Sequence, residues 1–148
     1  MSKLTHTNTA GKAVMVDIGL KHDQQRVARA SGHITLASET LLLVNENTLK
    51  KGDVLTVAQL AGISSAKQTS FLIPLCHNIV LENIKVELFC DETGVSVESE
   101  VRCTGKTGVE MEALTAVSVA LLTVYDMCKA VDKNMIIDNI RLTEKLKL

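Results

Sequence analysis

Asp126 and Lys129 are the pair of side chains best suited to acid–base chemistry, and they lie near the end of a predicted helix. Residues three apart are neighbours on a helix surface, and a carboxylate near a helix C-terminus opposes the helix dipole. The pair extends an apolar stripe of the helix, formed by Thr115, Val119 and Leu122. We therefore expect a half-buried pair that transfers protons. The alternative is a purely structural ion pair.

Glu112 supplies a carboxylate at the other end of the same predicted helix. Glu110 and Glu112 fall in its first turn, where the helix dipole favours negative charge, and this alone is a sufficient structural reason for both. Glu112 and Asp126 are separated by about 21 Å along the helix axis, at a rise of about 1.5 Å per residue. One small ligand cannot easily contact both carboxylates of one chain. A site that uses both must combine helix ends from different subunits.

Two lysines, Lys51 and Lys106, lie at or just before predicted helix N-termini, where the dipole disfavours a cation by roughly 0.3–1 kcal/mol. A bound phosphate would reverse that effect, and a solvated lysine is the alternative. The sequence GKTG at 105–108 superficially matches a phosphate-binding loop, but Glu100 stands where that loop requires glycine. What remains is a glycine-rich turn before a helix, which either binds an anion or is an ordinary turn.

His77 follows the only proline of the chain, in the uncharged segment FLIPLCHNIVL. Burial alone favours a packed core histidine over a site residue there. His6, His22 and His33 lie among polar neighbours without metal-ligand spacing, so we expect them at the surface. The four cysteines contain no C-x-x-C pair and are expected to be free thiols. No metal site is predicted.

The composition excludes several classes of function. The 148 residues, 46% hydrophobic, suffice for one ordinary core. The net charge of −1 gives no general attraction to nucleic acid or to an anionic membrane, and the near absence of aromatic residues removes a base-stacking platform. The N-terminus has no secretory or transit character, so we expect a cytoplasmic protein. The longest uncharged stretch, 113–125, is too short to span a bilayer and predicts a buried helix.

The hydrophobic pattern predicts the order strand, helix, strand, strand, helix, strand. Residues 1–30 are polar and predict an irregular N-terminal arm, whereas 31–148 predict a single domain that opens with the strand HITLA. The segments NIVLENIKVELFC and GVSVESEVRC alternate with period two and form a hairpin, and IIDNIRLTEKL is the last strand. This βαββαβ order is that of the ferredoxin-like α+β sandwich, with helices packed on one face of a four-stranded antiparallel sheet.

The helices are predicted from their apolar stripes. A short apolar helix, ETLLLVN, follows the first strand. The next helix has Asp53 as its N-cap and ends before Pro74, and its buried face comprises Val54, Val57 and Ala61. The stripe of the last helix that faces the sheet comprises Leu114, Val117, Leu121, Val124 and Cys128. The second stripe, which begins at Thr115, would face solvent in a monomer, so we expect a partner subunit there.

Five blocks along nearly the whole chain share the order and spacing of one known family. They are THTNTAGKAVMVDI, KKGDV, QLAGISSAK, IPLCH and TGKTGVEMEALTAVSVALLTVYDMCKAVDK. With them the sequence resembles the cyclic pyranopterin monophosphate synthases, the molybdenum-cofactor biosynthesis protein C family. The resemblance implies a ferredoxin-like fold and a homohexamer, built as a trimer of dimers, with active sites at subunit interfaces.

The resemblance also implies a reaction and its residues. A phosphorus–oxygen lyase of this kind needs no cofactor and converts 3′,8-cyclo-7,8-dihydro-GTP to cyclic pyranopterin monophosphate and pyrophosphate. The acid–base chemistry of the family falls on Asp126 and Lys129. The residues that match substrate contacts are Leu75, Cys76, His77, Met111 and Glu112, and the plausible phosphate or pterin contacts are Lys51, Lys67, Arg26 and Lys145. For His77 we follow the resemblance and expect it beside the substrate.

Two alternatives keep the same fold. One is a non-catalytic regulator that binds a pterin or nucleotide, with the Asp126 and Lys129 pair purely structural. The other is an inactive subunit, because family members commonly continue after Lys145 with a Gly-, Ser- and Lys-rich tail that is missing here. The chain also has Asn78 where the family usually has proline after the histidine. In the enzyme, a lysine with a pKa lowered by burial would donate and accept protons near neutral pH.

Overall fold

The computed structural model describes residues 5–148, so the first four residues of the predicted N-terminal arm lie outside the described residues. The strands are β1 (Gln24–Thr35), β2 (Asn83–Cys90), β3 (Gly94–Gly105) and β4 (Ile136–Lys147). The helices are α1 (Ser38–Asn45), α2 (Val54–Lys67), α3 (Thr69–Leu72) and α4 (Glu110–Cys128). We call residues 5–23 the N-terminal arm; it is irregular apart from one bridge between Thr7 and Ala13.

The four strands form one antiparallel sheet in the order β2-β3-β1-β4. The order of elements along the chain is βαββαβ once the short helices α1 and α3 are set aside. The α+β sandwich expected from the sequence is therefore confirmed. In β3 the alternation of valine with polar residues buries Val95, Val97 and Val101 toward the helices and leaves Glu98 and Arg102 on the other face.

Strand β1 begins at Gln24, whereas the pattern predicted the strand HITLA at residues 33–37, so the predicted start of the strand is wrong. The extra residues pair with both neighbours, since Arg26 lies opposite Cys103 on β3 and opposite Lys147 on β4. The period of two is hidden there because Arg26, a charged residue, occupies an inward position and is only 8% exposed. Alanine at the inward position 28 is also a weak strand former.

Helix α2 packs against α4 through small side chains. Its buried residues are Val54, Ala58, Gly62, Ser65 and Ala66. The predicted face was wrong at Val57, which is exposed, because the small side chains allow the two helices to approach closely. A Cβ atom at Gly62 would lie 3.0 Å from the Ala116 carbonyl oxygen.

The start of α2 was predicted correctly, but its end was not. The Asp53 side chain accepts a hydrogen bond from the Thr56 amide at 3.1 Å and caps the helix. The helix stops at Lys67, and the single turn α3 continues to Leu72, shortly before Pro74. Gln68 has a non-helical backbone between them, which breaks the one predicted helix into two.

Helix α4 packs on the sheet beside α2, which itself contacts β2. Of the predicted sheet-facing residues, Val117, Leu121, Val124 and Cys128 are fully buried, as expected, and Leu114 is partly buried against the same core. The helix is long and apolar enough to cross a membrane by length and composition alone, but most of it is buried inside this fold, as expected for a core helix.

Only part of the second stripe of α4 is available to a partner subunit. Thr115 is buried by the chain's own α2, whose Ser65 hydroxyl donates to the Thr115 carbonyl at 3.4 Å. The expectation of a partner at this position is wrong, since the sequence pattern did not show that α2 covers it. Leu122, 58% exposed, remains an uncovered apolar residue of the stripe.

Gly32 on β1 permits close packing of α4 on the sheet. A Cβ atom there would lie 2.8 Å from Leu121 Cδ1 and from Val117 Cγ1. We expect Gly32→Ala to lower the free energy of unfolding by about 1–3 kcal/mol through overpacking, measured by urea denaturation. The control is Ser31→Ala, on the same strand with its side chain on the other face, which should change stability by less than about 0.5 kcal/mol. Equal effects of the two variants would contradict this account of the packing.

Candidate active site

The first cleft, of about 300 Å³, lies at the N-terminal end of α4. Three segments form its walls: the N-terminal arm, the loop at 75–79, and residues 107–112, which comprise the end of the turn before α4 and the first residues of the helix. The sequence-predicted residues that line it are Leu75, Cys76, His77, Met111 and Glu112. Two blocks far apart in sequence are therefore brought together by the fold, one beyond α3 and one at the start of α4.

Glu112 is the buried acid of the first cleft, with only 4% of its surface exposed. Burial raises the pKa of this carboxyl, and the nearby negative charge of Glu110 adds to the effect. A hydrogen bond from its own backbone amide lowers the pKa but does not outweigh burial. A carboxyl of raised pKa that lines a cleft is suited to exchange a proton with a ligand.

His77 lies in the wall of the first cleft and is half-buried, so it is not a fully packed core residue. Its Nε2 lies 2.6 Å from the Val16 carbonyl oxygen of the N-terminal arm. Because a carbonyl only accepts, Nε2 carries the proton of this hydrogen bond. The neighbouring Cys76 is kept as a thiol, because burial raises its pKa and the charge of Glu112 raises it further.

A second cleft, of about 480 Å³, adjoins the first and shares Lys21, Thr107, Gly108 and Glu110 with it. Its cationic residues are Lys21, Arg26, Lys145 and Lys147. The buried Arg26 donates to the Gly105 carbonyl at 3.2 Å and to the Lys106 carbonyl at 3.3 Å. These bonds fix the turn between β3 and α4 onto the end of β1.

Glu110 is the anionic member of the second cleft. Burial would raise the pKa of this carboxyl, but Lys145, with its Nζ 2.7 Å from Oε1, outweighs burial and holds the pKa below its usual range. A Cβ atom at Gly108 would lie against the Glu110 carboxylate, which would have to shift to make room for it. The GKTG turn thus serves the placement of Glu110 and of Arg26.

Asp126 and Lys129 lie at the opposite end of α4, in neither cleft. Lys129 Nζ is 2.9 Å from Asp126 Oδ1, and Lys51 Nζ is 3.1 Å from Oδ2. The side chains of Asp126 and Lys129 are 57% and 58% exposed. The expectation of a half-buried pair is therefore wrong for this chain, because the pair lies past the part of α4 that α2 and the sheet cover.

The charges of this exposed group determine its titration. The hydrogen bond from Lys129, and then that from Lys51, lower the pKa of Asp126. The hydrogen bond to Asp126 raises the pKa of Lys129, opposite to the direction expected for a buried catalytic lysine. In the chain by itself Asp126 is a carboxylate and Lys129 an ammonium group.

The four cations predicted to contact phosphate or pterin lie in three places on one chain. Arg26 and Lys145 line the second cleft, and Lys51 binds Asp126. Lys67 lies at the end of α2, beside Leu81 and residues 82–84. Only two of the four are therefore adjacent within one chain.

Sequence reasoning missed the contribution of the N-terminal arm. His6 lines the first cleft and His22 the second, although both were expected to be ordinary surface histidines. Lys21 lines both clefts. The only sequence signal was the resemblance of the block THTNTAGKAVMVDI, which contains His6 but ends before Lys21 and His22, and the arm has no periodicity.

Three further expectations concern His33, the cysteines and metal binding. His33 is only 18% exposed at its side chain and contacts Asp91 at 3.1 Å, so its assignment to the open surface was wrong. The four cysteines are free thiols, as expected. Within residues 5–148, His, Cys, Asp and Glu side chains form no group of three that could hold a metal ion.

The opposite pKa shifts of Glu112 and Glu110 give opposite predictions for stability. The pKa of Glu112 is above the 4.5 of an exposed glutamate, so its ionised form destabilises the fold at neutral pH. We expect Glu112→Gln to raise the melting temperature at pH 7, with the gain lost as the pH falls below 4.5. The matched control is Glu110→Gln, which should lower the melting temperature at pH 7 because the pKa of Glu110 is below 4.5. Shifts of the same sign for both variants would contradict the assignment.

Residues 15–147 match the MoaC family. Cyclic pyranopterin monophosphate synthase of Heliobacterium modesticaldum is 54% identical over 147 residues, which are 98% of this chain and 92% of that protein. The protein of that name from Clostridium botulinum is 54% identical over 146 residues, or 97% of this chain and 92% of its own length.

A third relative is much longer. Molybdenum cofactor biosynthesis protein 1 of Drosophila melanogaster is 56% identical over 146 residues, or 97% of this chain. The chain spans only 26% of that fly protein. The match to the family nevertheless covers most of this chain, and the two bacterial relatives align over almost their whole length. The chain belongs to the MoaC family.

Proposed function

We propose that this protein is a cyclic pyranopterin monophosphate synthase. It converts 3′,8-cyclo-7,8-dihydro-GTP to cyclic pyranopterin monophosphate and releases pyrophosphate, as a phosphorus–oxygen lyase of molybdenum cofactor biosynthesis. The observation that carries the proposal is that Cys76, His77 and Glu112 meet in one cleft of a chain that is 54% identical to bacterial proteins of that name. The reaction takes place in the cytoplasm and uses no cofactor.

The charge of the two clefts supports a phosphorylated substrate. A triphosphate brings about four negative charges and is bound best by lysine and arginine side chains. Lys21, Arg26, Lys145 and Lys147 line the second cleft, while the first has Glu112 and fewer cations. The phosphates therefore bind toward the second cleft and the pterin-forming part toward Glu112. His77 and Met111 line the space between the arm and the helix.

The acid–base groups must come from a second subunit. Asp126 is about 21 Å along α4 from Glu112, at a rise of about 1.5 Å per residue, and Lys129 lies further on, so one substrate cannot contact both ends in one chain. In the homohexamer, a trimer of dimers, the exposed group of Lys51, Asp126 and Lys129 lies against the cleft of a neighbour. Exposed Leu122, on the adjacent part of α4, is available to that interface.

The exposure of Lys129 in one chain agrees with this arrangement. A lysine that stays in water beside a carboxylate has a raised pKa and is a poor base near pH 7. Covering it with a neighbouring subunit removes water and lowers its pKa, since desolvation disfavours the charged form. Lys129 then exchanges protons during ring opening and reclosure, and Asp126 orients it. The assembled enzyme, and not the single chain, has the catalytic lysine.

The direct test is to incubate the protein with the cyclised triphosphate and to measure pyrophosphate together with the pterin product. Formation of both supports the synthase. Binding of the triphosphate without release of pyrophosphate would instead identify a non-catalytic regulator. Failure to bind would indicate an inactive subunit.

We expect Lys129→Ala and Glu112→Gln each to lower kcat by roughly 10²–10⁴-fold, because each removes a group that transfers protons. The matched control for the first is Lys133→Ala. Lys133 is an exposed lysine one turn further on, whose Nζ contacts the Lys129 carbonyl. A loss of kcat below about tenfold in Lys129→Ala would favour a purely structural ion pair between Asp126 and Lys129.

Mixing the two inactive variants tests the composite site. Hexamers that contain both Lys129→Ala and Glu112→Gln subunits have some interfaces with two intact halves, so part of the activity should return. Sedimentation checks that mixed hexamers form. No recovery after confirmed subunit exchange, or a fully active monomer, would contradict the shared site.

A further inference from the structure

We propose that Lys106 is a positioning residue, which holds the N-terminal arm across the first cleft by donating a hydrogen bond to the Gly19 carbonyl. Its Nζ lies 3.0 Å from that oxygen. This inference rests on the proposed function, since the cleft is the proposed substrate site. Lys106 lines neither cleft, so it acts on a substrate only through the arm.

The base from which Lys106 extends is rigid. Its own carbonyl and that of Gly105 accept hydrogen bonds from the guanidinium of Arg26, which is buried at the end of β1. Strand β1 therefore fixes the turn that contains Gly105 and Lys106, and with it the backbone from which the Lys106 side chain extends. The position of Lys106 before a helix N-terminus, unfavourable for a cation, is explained by this bond to a backbone oxygen.

The arm itself is weakly held. Only Val16 and Ile18 of residues 5–23 are partly buried, and the arm has no strand or helix of its own. A further bond that holds it is the one from His77 to the Val16 carbonyl. Lys106 and His77 thus donate to carbonyls on the two sides of Asp17 and Ile18, and these bonds fix a segment with little packing. Segments of this kind open easily, so the loss of one donor has a measurable effect.

The anchored segment carries groups that line the clefts. The Asp17 side chain accepts from the Gly19 amide at 2.8 Å, and the Lys21 amide donates to the Ile18 carbonyl at 3.1 Å. These local bonds make a turn that connects Gly19 to Lys21. Holding Gly19 therefore places Ile18 in the first cleft and Lys21 where the two clefts meet.

Hydrogen exchange without substrate measures the anchor directly. The amides of residues 14–22 are followed by mass spectrometry in the wild type and in Lys106→Gln, Lys106→Arg and Lys85→Gln. Lys85 is an exposed lysine of β2, paired with Glu87 on the far face of the sheet. We expect Lys106→Gln to speed exchange of the arm roughly three- to tenfold, the loss of about one hydrogen bond. Lys106→Arg should restore slow exchange, and Lys85→Gln should have no effect.

Kinetics on the same proteins test the positioning role. Lys106→Gln should raise KM several-fold and leave kcat within about twofold, because the arm contacts the substrate, whereas the proton-transfer groups Glu112 and Lys129 are not carried by the arm. Lys106→Arg should restore KM. Unchanged exchange with a raised KM would overturn the proposal, since Lys106 would then contact the substrate directly. Faster exchange with an unchanged KM would also overturn it.

A second variant and a measurement without substrate make the result of the Lys106 test unambiguous. Lys106→Met, which retains the stem of the side chain, is a second variant if Lys106→Gln has a lowered melting temperature. The exchange comparison needs no substrate, so it separates this proposal from the proposed function. If the wild type forms no product, the proposed function fails alone, and faster exchange in Lys106→Gln still supports the anchor.

Discussion

The packing of α4 on two sides determines where the candidate functional groups lie. Its middle is fixed by β1 and β3 on one face and by α2 on another, through contacts as close as those around Gly32 and Gly62. A helix held in this way does not bend or rotate to bring its ends together. Glu112 is therefore kept at one end and Asp126 at the other. Every arrangement that uses both must be intermolecular.

The two ends of α4 have opposite electrostatic environments. At the N-terminal end the helix dipole favours an anion, yet burial prevails at Glu112 and raises its pKa. Beside it Lys145 holds the pKa of Glu110 low, so one acid of the pair is neutralised more easily than the other. At the C-terminal end Asp126 stays ionised between two lysines. The helix thus presents a proton-accepting carboxylate at one end and a hydrated, positively charged group at the other.

The sequence predicts those parts of the fold in which one local pattern decides the structure. The alternation in β2 and β3, the Asp53 cap and the sheet-facing stripe of α4 are of this kind, and each is found in the structure. The errors occur where a distant segment decides. Val57 is exposed and Thr115 is buried because of how closely α2 packs against α4. The distance between the two helices cannot be inferred from the hydrophobic periodicity of either helix alone.

In the candidate site, too, some residues are predicted from the sequence and others are identified only by the tertiary structure. The resemblance selected Cys76, His77 and Glu112, and the fold places all three in the first cleft. Lys21 and His6 were missed, because an arm without periodicity gives no sign of which surface it crosses. The bond from Lys106 to Gly19 joins positions 87 residues apart in sequence, so only the tertiary structure relates them.

The group of Lys51, Asp126 and Lys129 is difficult to explain by stability alone. Ion pairs between exposed side chains contribute little, since water screens the attraction and ordering long side chains is unfavourable. Here two lysines from different elements converge on one carboxylate that is more than half exposed. Two ammonium groups and one carboxylate leave one positive charge, which an anionic ligand on a facing surface would balance. A surface that collects charge with little gain in stability for its own chain is better explained by what it would meet in the proposed assembly than by the fold it belongs to.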